Sequence, residues 1–140
     1  AAVHAGWRGT VNRILAKTLH RMQSAYGTRG TDVIACIGPG ISLDSFEVGD
    51  EVYEAFRTEN FPMEYISVWK PETHKYHIDL WAANRLQLSD FGVPPRQIEN
   101  AGICTYRQHE DFFSARRLGI KSGRILSGIM LNGQEKEERK

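Results

Sequence analysis

Apolar positions recur in two rhythms along this 140-residue chain, one near 3.6 residues and one of two. Val11, Ile14, Leu15, Leu19, Met22 and Tyr26 follow the first, while Asn12, Arg13, Lys17, Arg21 and Gln23 take the opposite side. That pattern predicts an amphipathic helix over 10–26, capped by Thr10 and stopped by Gly27. The apolar run 32–37 reads as a buried strand ending in the Gly38-Pro39-Gly40 turn. Residues 46–48 suit a brief strand, 51–57 a helix with Val52, Tyr53 and Phe56 inward, and 65–69 another strand. After a polar turn at 71–75, Tyr76, Ile78 and Leu80 alternate with His77 and Asp79. A helix follows over 80–91, closed by Gly92 and barred from continuing by Pro94-Pro95. Strands are expected at 97–104 and 124–131, with a short helical turn at 109–113 between them.

Strands alternate with helices long enough to cover a sheet face, with no internal repeat and no linker. The expected class is α/β (α+β): a layered sandwich of mixed β-sheet with flanking helices, forming a single domain. Its bounds are set at 1–132, leaving 133–140 as a polar, charged tail expected to be disordered. There is no initiator methionine, and the first residues resemble the end of a buried strand. We therefore expect the chain to be the C-terminal portion of a longer protein.

Composition is ordinary for a globular domain, at 41% hydrophobic and 25% charged. A net charge of +1 argues against a nucleic-acid binder or a membrane-surface protein, both of which carry a basic excess. No apolar run approaches the ~20 residues of a membrane span. Two cysteines, Cys36 and Cys104, make no disulfide framework, so a cytoplasmic location is the expectation. Cys36, inside an apolar run, is read as a small core residue.

Two stretches concentrate chemistry. In His4-Ala5-Gly6-Trp7-Arg8-Gly9, glycines allow close backbone approach, His4 can ligate a metal or move a proton, and Arg8 offers a fork for phosphate or carboxylate. A plainer reading makes His4 a satisfied histidine, Trp7 core and Arg8 the partner of a surface carboxylate. In Phe112-Phe113-Ser114-Ala115-Arg116-Arg117, aromatics beside adjacent arginines suit a planar substrate with an anionic group. His74, His77 and Asp79 invite a metal reading, but strand alternation puts His74 on the other face, and Asp79 is better placed to start a helix.

These segments occur together with Ile37-Gly38-Pro39, Phe46-Glu47-Val48-Gly49, Asp79-Leu80 and Cys104-Thr105-Tyr106 in one order. In that order the chain resembles the YfiH/YlmD family over residues 1 to about 131. Its members are variously called laccase-like polyphenol oxidases, purine nucleoside phosphorylases and peptidoglycan-editing factors. The resemblance implies a zinc site, with copper an alternative, of two histidines and one cysteine. His4 matches the last of these ligands; the other two fall before residue 1, and neither Cys36 nor Cys104 matches the ligand cysteine. One ligand of three would not hold zinc tightly, so the missing N-terminal segment is expected to complete the site.

The resemblance further implies a zinc-dependent purine nucleoside phosphorylase with adenosine deaminase activity, acting on adenosine, inosine and methylthioadenosine. His4 and Arg8 would be catalytic. Gly6, Trp7, Phe113, Ser114, Arg116 and Arg117 would contact nucleoside and phosphate, with Phe112 an alternative to Phe113 for packing on the base. Competing expectations are an amidohydrolase that edits peptidoglycan precursors, a copper-dependent phenol oxidase, and an inactive fragment lacking two metal ligands. Five scattered histidines support the oxidase poorly.

Overall fold

In the computed structural model, which describes residues 1–131, helix α5 (Leu80–Asp90) is the element on which the others converge. It starts where the sequence places it: Asp79 Oδ1 accepts the Ala82 N–H at 2.9 Å, satisfying a donor the first turn leaves open. Leu80, Ala83, Asn84, Gln87 and Leu88 form its buried stripe, at helical spacing. After Asp90 the chain turns through Gly92, at φ +94°, into Pro94.

The two halves of α5 serve two cores. The first half packs Leu80 and Ala83 with Phe46, Phe56, Ile66 and Ile78. This core lies against a three-stranded antiparallel sheet, β2 (Glu47–Val48), β4 (Lys75–Ile78) and β3 (Ser67–Lys70), in that spatial order. Helices α3 (Asp50–Thr58) and α4 (Met63–Ile66) supply Val52, Phe56, Met63 and Ile66 to it. The second half packs Leu88 with Leu19, Val33, Val93 and Ile98. That core lies beside a parallel pair, β1 (Ala35–Ile37) and β5 (Ile98–Asn100), in the register Ala35 to Ile98. The result is a mixed α/β domain, as expected, with the parallel and antiparallel strands in separate sheets.

The helix expected over 10–26 is two helices, α1 (Trp7–Val11) and α2 (Ile14–Tyr26). The break is at Arg13, whose backbone sits in the left-handed region at φ 60°. Arg13 is held there by contacts the local pattern cannot encode. Its guanidinium donates to the Glu59 carbonyl at 3.0 Å and lies 4.0 Å from the centre of the Phe61 ring. Thr10 is inside α1, not at its start; Gly6 occupies the N-cap position. Gly27 does close α2, at φ +68°. Tyr26, counted on the apolar face, is 83% exposed.

Three strand expectations change. Residues 97–104 shorten to β5, continued only by a bridge between Gly40 and Cys104. One face of β1 is open, so Cys36, like Ile34 just before the strand, is exposed and is not a core residue. Residues 124–131 form no strand: Leu126 is 96% exposed, and no neighbouring strand takes its backbone hydrogen bonds among the described residues. Periodicity marks a segment as fit for a sheet, but the ladder needs a partner. The expected tail at 133–140 lies outside the described residues.

Candidate functional site

The first candidate stretch is a turn built against the N-terminus of α1. Thr10 N–H donates to the Gly6 carbonyl at 2.8 Å, and Thr10 Oγ1 donates to the Ala5 carbonyl at 3.0 Å. Both bonds tie the backbone between His4 and Trp7 to a threonine that is fully buried. His4 is exposed, and its ring folds over Gly6 so closely that a Cβ there would lie 3.1 Å from Nε2. Glycine is the residue that admits this approach. Trp7 is half-buried against the first core, and the Arg8 guanidinium lies 4.3 Å from its ring centre. Among the described residues, neither His4 nor Arg8 has a side-chain hydrogen bond or an ion pair. The plainer reading, a satisfied histidine and a paired arginine, does not describe them. With Val11, Asn12, Glu54, Ala55, Thr58 and Glu59, Trp7 and Arg8 line an open groove between α1 and α3. Being five residues long, α1 contributes little macrodipole of its own.

The second stretch is shaped by a cap. Ser114 is buried, and its Oγ accepts the Arg117 N–H, opening the short helix α6 (Ala115–Leu118). Arg116 donates to the Glu47 carbonyl at 2.7 Å and its guanidinium lies 5.2 Å from the Phe46 ring centre. Arg117 lies 5.1 Å from the Tyr106 ring centre. Phe113 is 55% exposed, with Gly123 packed on its ring. Among the described residues, no hydrogen bond or ion pair joins Phe113–Arg117 to His4 or Arg8.

Among the described residues, no three His, Cys, Asp or Glu side chains are grouped to hold an ion. Zinc takes three or four protein ligands, so His4 alone does not make a site. His77 is engaged elsewhere: it is buried, with Nδ1 2.9 Å from the Leu43 carbonyl and Nε2 3.8 Å from Glu47.

Two polar clusters escape the sequence reading. In the first, Asn84 Nδ2 donates to Thr10 Oγ1 at 3.0 Å and to the Leu80 carbonyl at 2.8 Å. Gln87 Nε2 donates to the Thr10 carbonyl at 3.1 Å, while its Oε1 accepts the Ala16 N–H at 3.1 Å. Asn84 Oδ1 is the one buried side-chain polar atom without a partner among the described residues. The readable signal was two amides on the buried stripe of α5, since buried polar groups imply a network. The second cluster centres on the buried Cys104 thiol. It receives the Ser42 hydroxyl at 3.1 Å and the Ser42 N–H at 3.4 Å, with the Ser45 hydroxyl 3.5 Å away. Burial alone would raise its pKa. The hydroxyls of Ser42 and Ser45, with backbone N–H groups of Ser42 and Arg107, outweigh that and bring it from 9.0 to about 6.

The mixed α/β domain with its glycine turn is the setting in which the chain's family is placed by comparison. The chain belongs to the family described as multi-copper polyphenol oxidoreductase laccase, which it matches over residues 1–132. The YfiH and YlmD proteins are among its relatives. It is 66% identical over 132 residues to a protein of Bacteroides thetaiotaomicron named purine nucleoside phosphorylase, covering 94% of this chain and 49% of that one. It is 50% identical over 129 residues to adenosine deaminase RL5 from an unknown prokaryotic organism, covering 92% and 49%. Its fold matches the crystal structure of Bacillus licheniformis hypothetical protein YfiH with a TM-score of 0.73 and 32% identity, over 82% of this chain and 43% of that one. The chain spans about half the length of the curated relatives it matches. No helix among the described residues is long and apolar enough to cross a membrane.

Proposed function

We propose that this chain carries part of the active site of a cytoplasmic purine nucleoside phosphorylase that also deaminates adenosine. The observation that carries the reading is the 66% identity to a protein of that name across 132 residues, 94% of this chain. The exposure of His4 and Arg8, neither with a side-chain partner among the described residues, supports it. In phosphorolysis a phosphate oxygen bonds to the anomeric carbon as the glycosidic C–N bond breaks and the base leaves with a proton. Arg8, braced on Trp7, is free to hold the dianion by paired hydrogen bonds. His4 is free to move a proton or to serve as one ligand of a metal whose other ligands lie outside the described residues. Phe113 offers an exposed ring for the base, and Arg116 and Arg117 offer positive charge beside it.

The test is phosphate-dependent release of hypoxanthine from inosine by the full natural chain, followed by chromatography. Arg8→Ala should raise KM for phosphate by on the order of 10-fold or more. A full natural chain that releases no hypoxanthine, with or without added zinc, refutes the phosphorylase reading. The family's description favours one other reading, copper-dependent phenol oxidation; oxygen uptake with a phenol in the same preparation would select it.

A further inference from the structure

Thr10 stands at the junction of three elements and has no exposed surface. Its hydroxyl hands a hydrogen bond down the chain: it accepts from Asn84 on α5 and donates to the Ala5 carbonyl, next to His4. Its N–H holds the Gly6 carbonyl, next to Trp7. Its own carbonyl is held by Gln87, one turn further along α5. The other end of the Gln87 amide takes the Ala16 N–H in the first turn of α2, so this side chain spans the break at Arg13. A hydroxyl that accepts one bond and donates another has a fixed orientation. The Ala5–Gly6 backbone is therefore oriented by α5, and the His4 ring lies directly on Gly6.

The network is also imperfect in an informative way. Asn84 is buried, yet its Oδ1 has no partner among the described residues, so an apolar side chain of the same size would remove an unpaired acceptor. A position serving packing alone has no reason to keep an amide there. What the amide does supply is the donor that orients Thr10.

We propose that Thr10, Asn84 and Gln87 are positioning residues for the His4–Arg8 turn, transmitting the placement of α5 to the Ala5–Gly6 backbone and the His4 ring. The proposal rests on the reading of that turn as part of the active site, and its test separates the two. The full natural chain is prepared with histidine labelled at Cε1, and the His4 resonance is assigned by His4→Gln. Thr10→Val removes the hydroxyl while keeping the shape. It should move the His4 resonance, leave in place that of His109, whose ring lies against the Arg107 carbonyl, and lower kcat for inosine phosphorolysis by on the order of 10²-fold, with KM for inosine within about twofold. Thr10→Ser, which keeps the hydroxyl, should return both readouts to wild type. Should Thr10→Val fail to fold, Asn84→Leu decides, because it leaves the Thr10 to Ala5 bond and removes the orphan acceptor. It should be as stable as wild type yet shift His4 and lose turnover. A His4 resonance unmoved in the folded variants overturns the proposal, as does undiminished turnover in a variant whose His4 has moved. Absence of turnover in the wild-type chain refutes the enzymatic reading instead, and the resonance still decides whether these residues orient the turn.

Discussion

Replacing Gln87 by leucine tests the clamp across the broken helix. The side chain is almost fully buried and makes two hydrogen bonds, to the Thr10 carbonyl and from the Ala16 N–H, each at 3.1 Å. Their loss is not symmetrical. The Thr10 carbonyl keeps a second donor, the Arg13 N–H at 3.0 Å, so it is not orphaned. The Ala16 N–H is one of the donors a helix start leaves open, and Gln87 is its only partner among the described residues. Two bonds at about 1 kcal/mol each, with a further ~1 kcal/mol for the stranded donor, make a gross loss of about 3 kcal/mol. Leucine returns about 1 kcal/mol as added apolar burial. The net expectation is about 2 kcal/mol of destabilisation. In urea, at a slope near ~2 kcal/mol/M, the unfolding midpoint should fall by about 1 M with the slope unchanged. Tryptophan fluorescence can follow it. A midpoint within ~0.25 M of wild type, or above it, would refute the view that Gln87 holds the two helices together.

Other substitutions test separate features. Arg13→Ala keeps the left-handed backbone but loses the Glu59 bond and the Phe61 contact, costing about 1 kcal/mol, whereas Arg13→Gly should come out near neutral because relief of the backbone offsets the same losses. Equal thermal destabilisation by the two would show no strain at Arg13. Gly6 has an ordinary φ of −65° and its close neighbour is the end of a side chain, so Gly6→Ala should cost little stability while displacing the His4 ring, seen as a shift of its resonance. For Cys104, thiolate absorbance near 240 nm should rise through about pH 6, and Ser42→Ala should move that rise upward. Because the folded-state pKa lies below the ordinary 9.0, the stabilisation is complete above pH 9 and is lost as pH falls through about 6. Denaturation at pH 6 and pH 9 should differ accordingly, and Cys104→Ser should remove that difference.

What could be read from the residues alone was local. Asp79 and the stripe of α5 follow from a capping side chain and a 3.6-residue period, both contained within a dozen positions. The His4–Arg8 turn was visible as a concentration of chemistry, but its exposure was not, because the decision between paired and unpaired depends on what α3 brings alongside. The break at Arg13 was invisible for a related reason. Asn12 and Arg13 fall on the outer face of a continuous helical pattern, and what bends the chain there comes from Glu59, Phe61 and Gln87. Residues 124–131 show the opposite failure, a strand rhythm without a partner. Asn84 and Gln87 are two amides on the buried stripe of α5, and polar side chains in that position are themselves a legible sign of a buried network.

The split between α1 and α2 bears on how the molecule opens. Val11 belongs to the first core and Leu19 to the second, so a stretch that reads as one helix is shared between two packed bodies. Cooperative opening follows packing and not secondary structure. Amide exchange should therefore assign Thr10 and Val11 to the same protected unit as Phe56 and Ile78, and Leu19 to that of Val33 and Ile98. The candidate turn would stay folded while α2 frays.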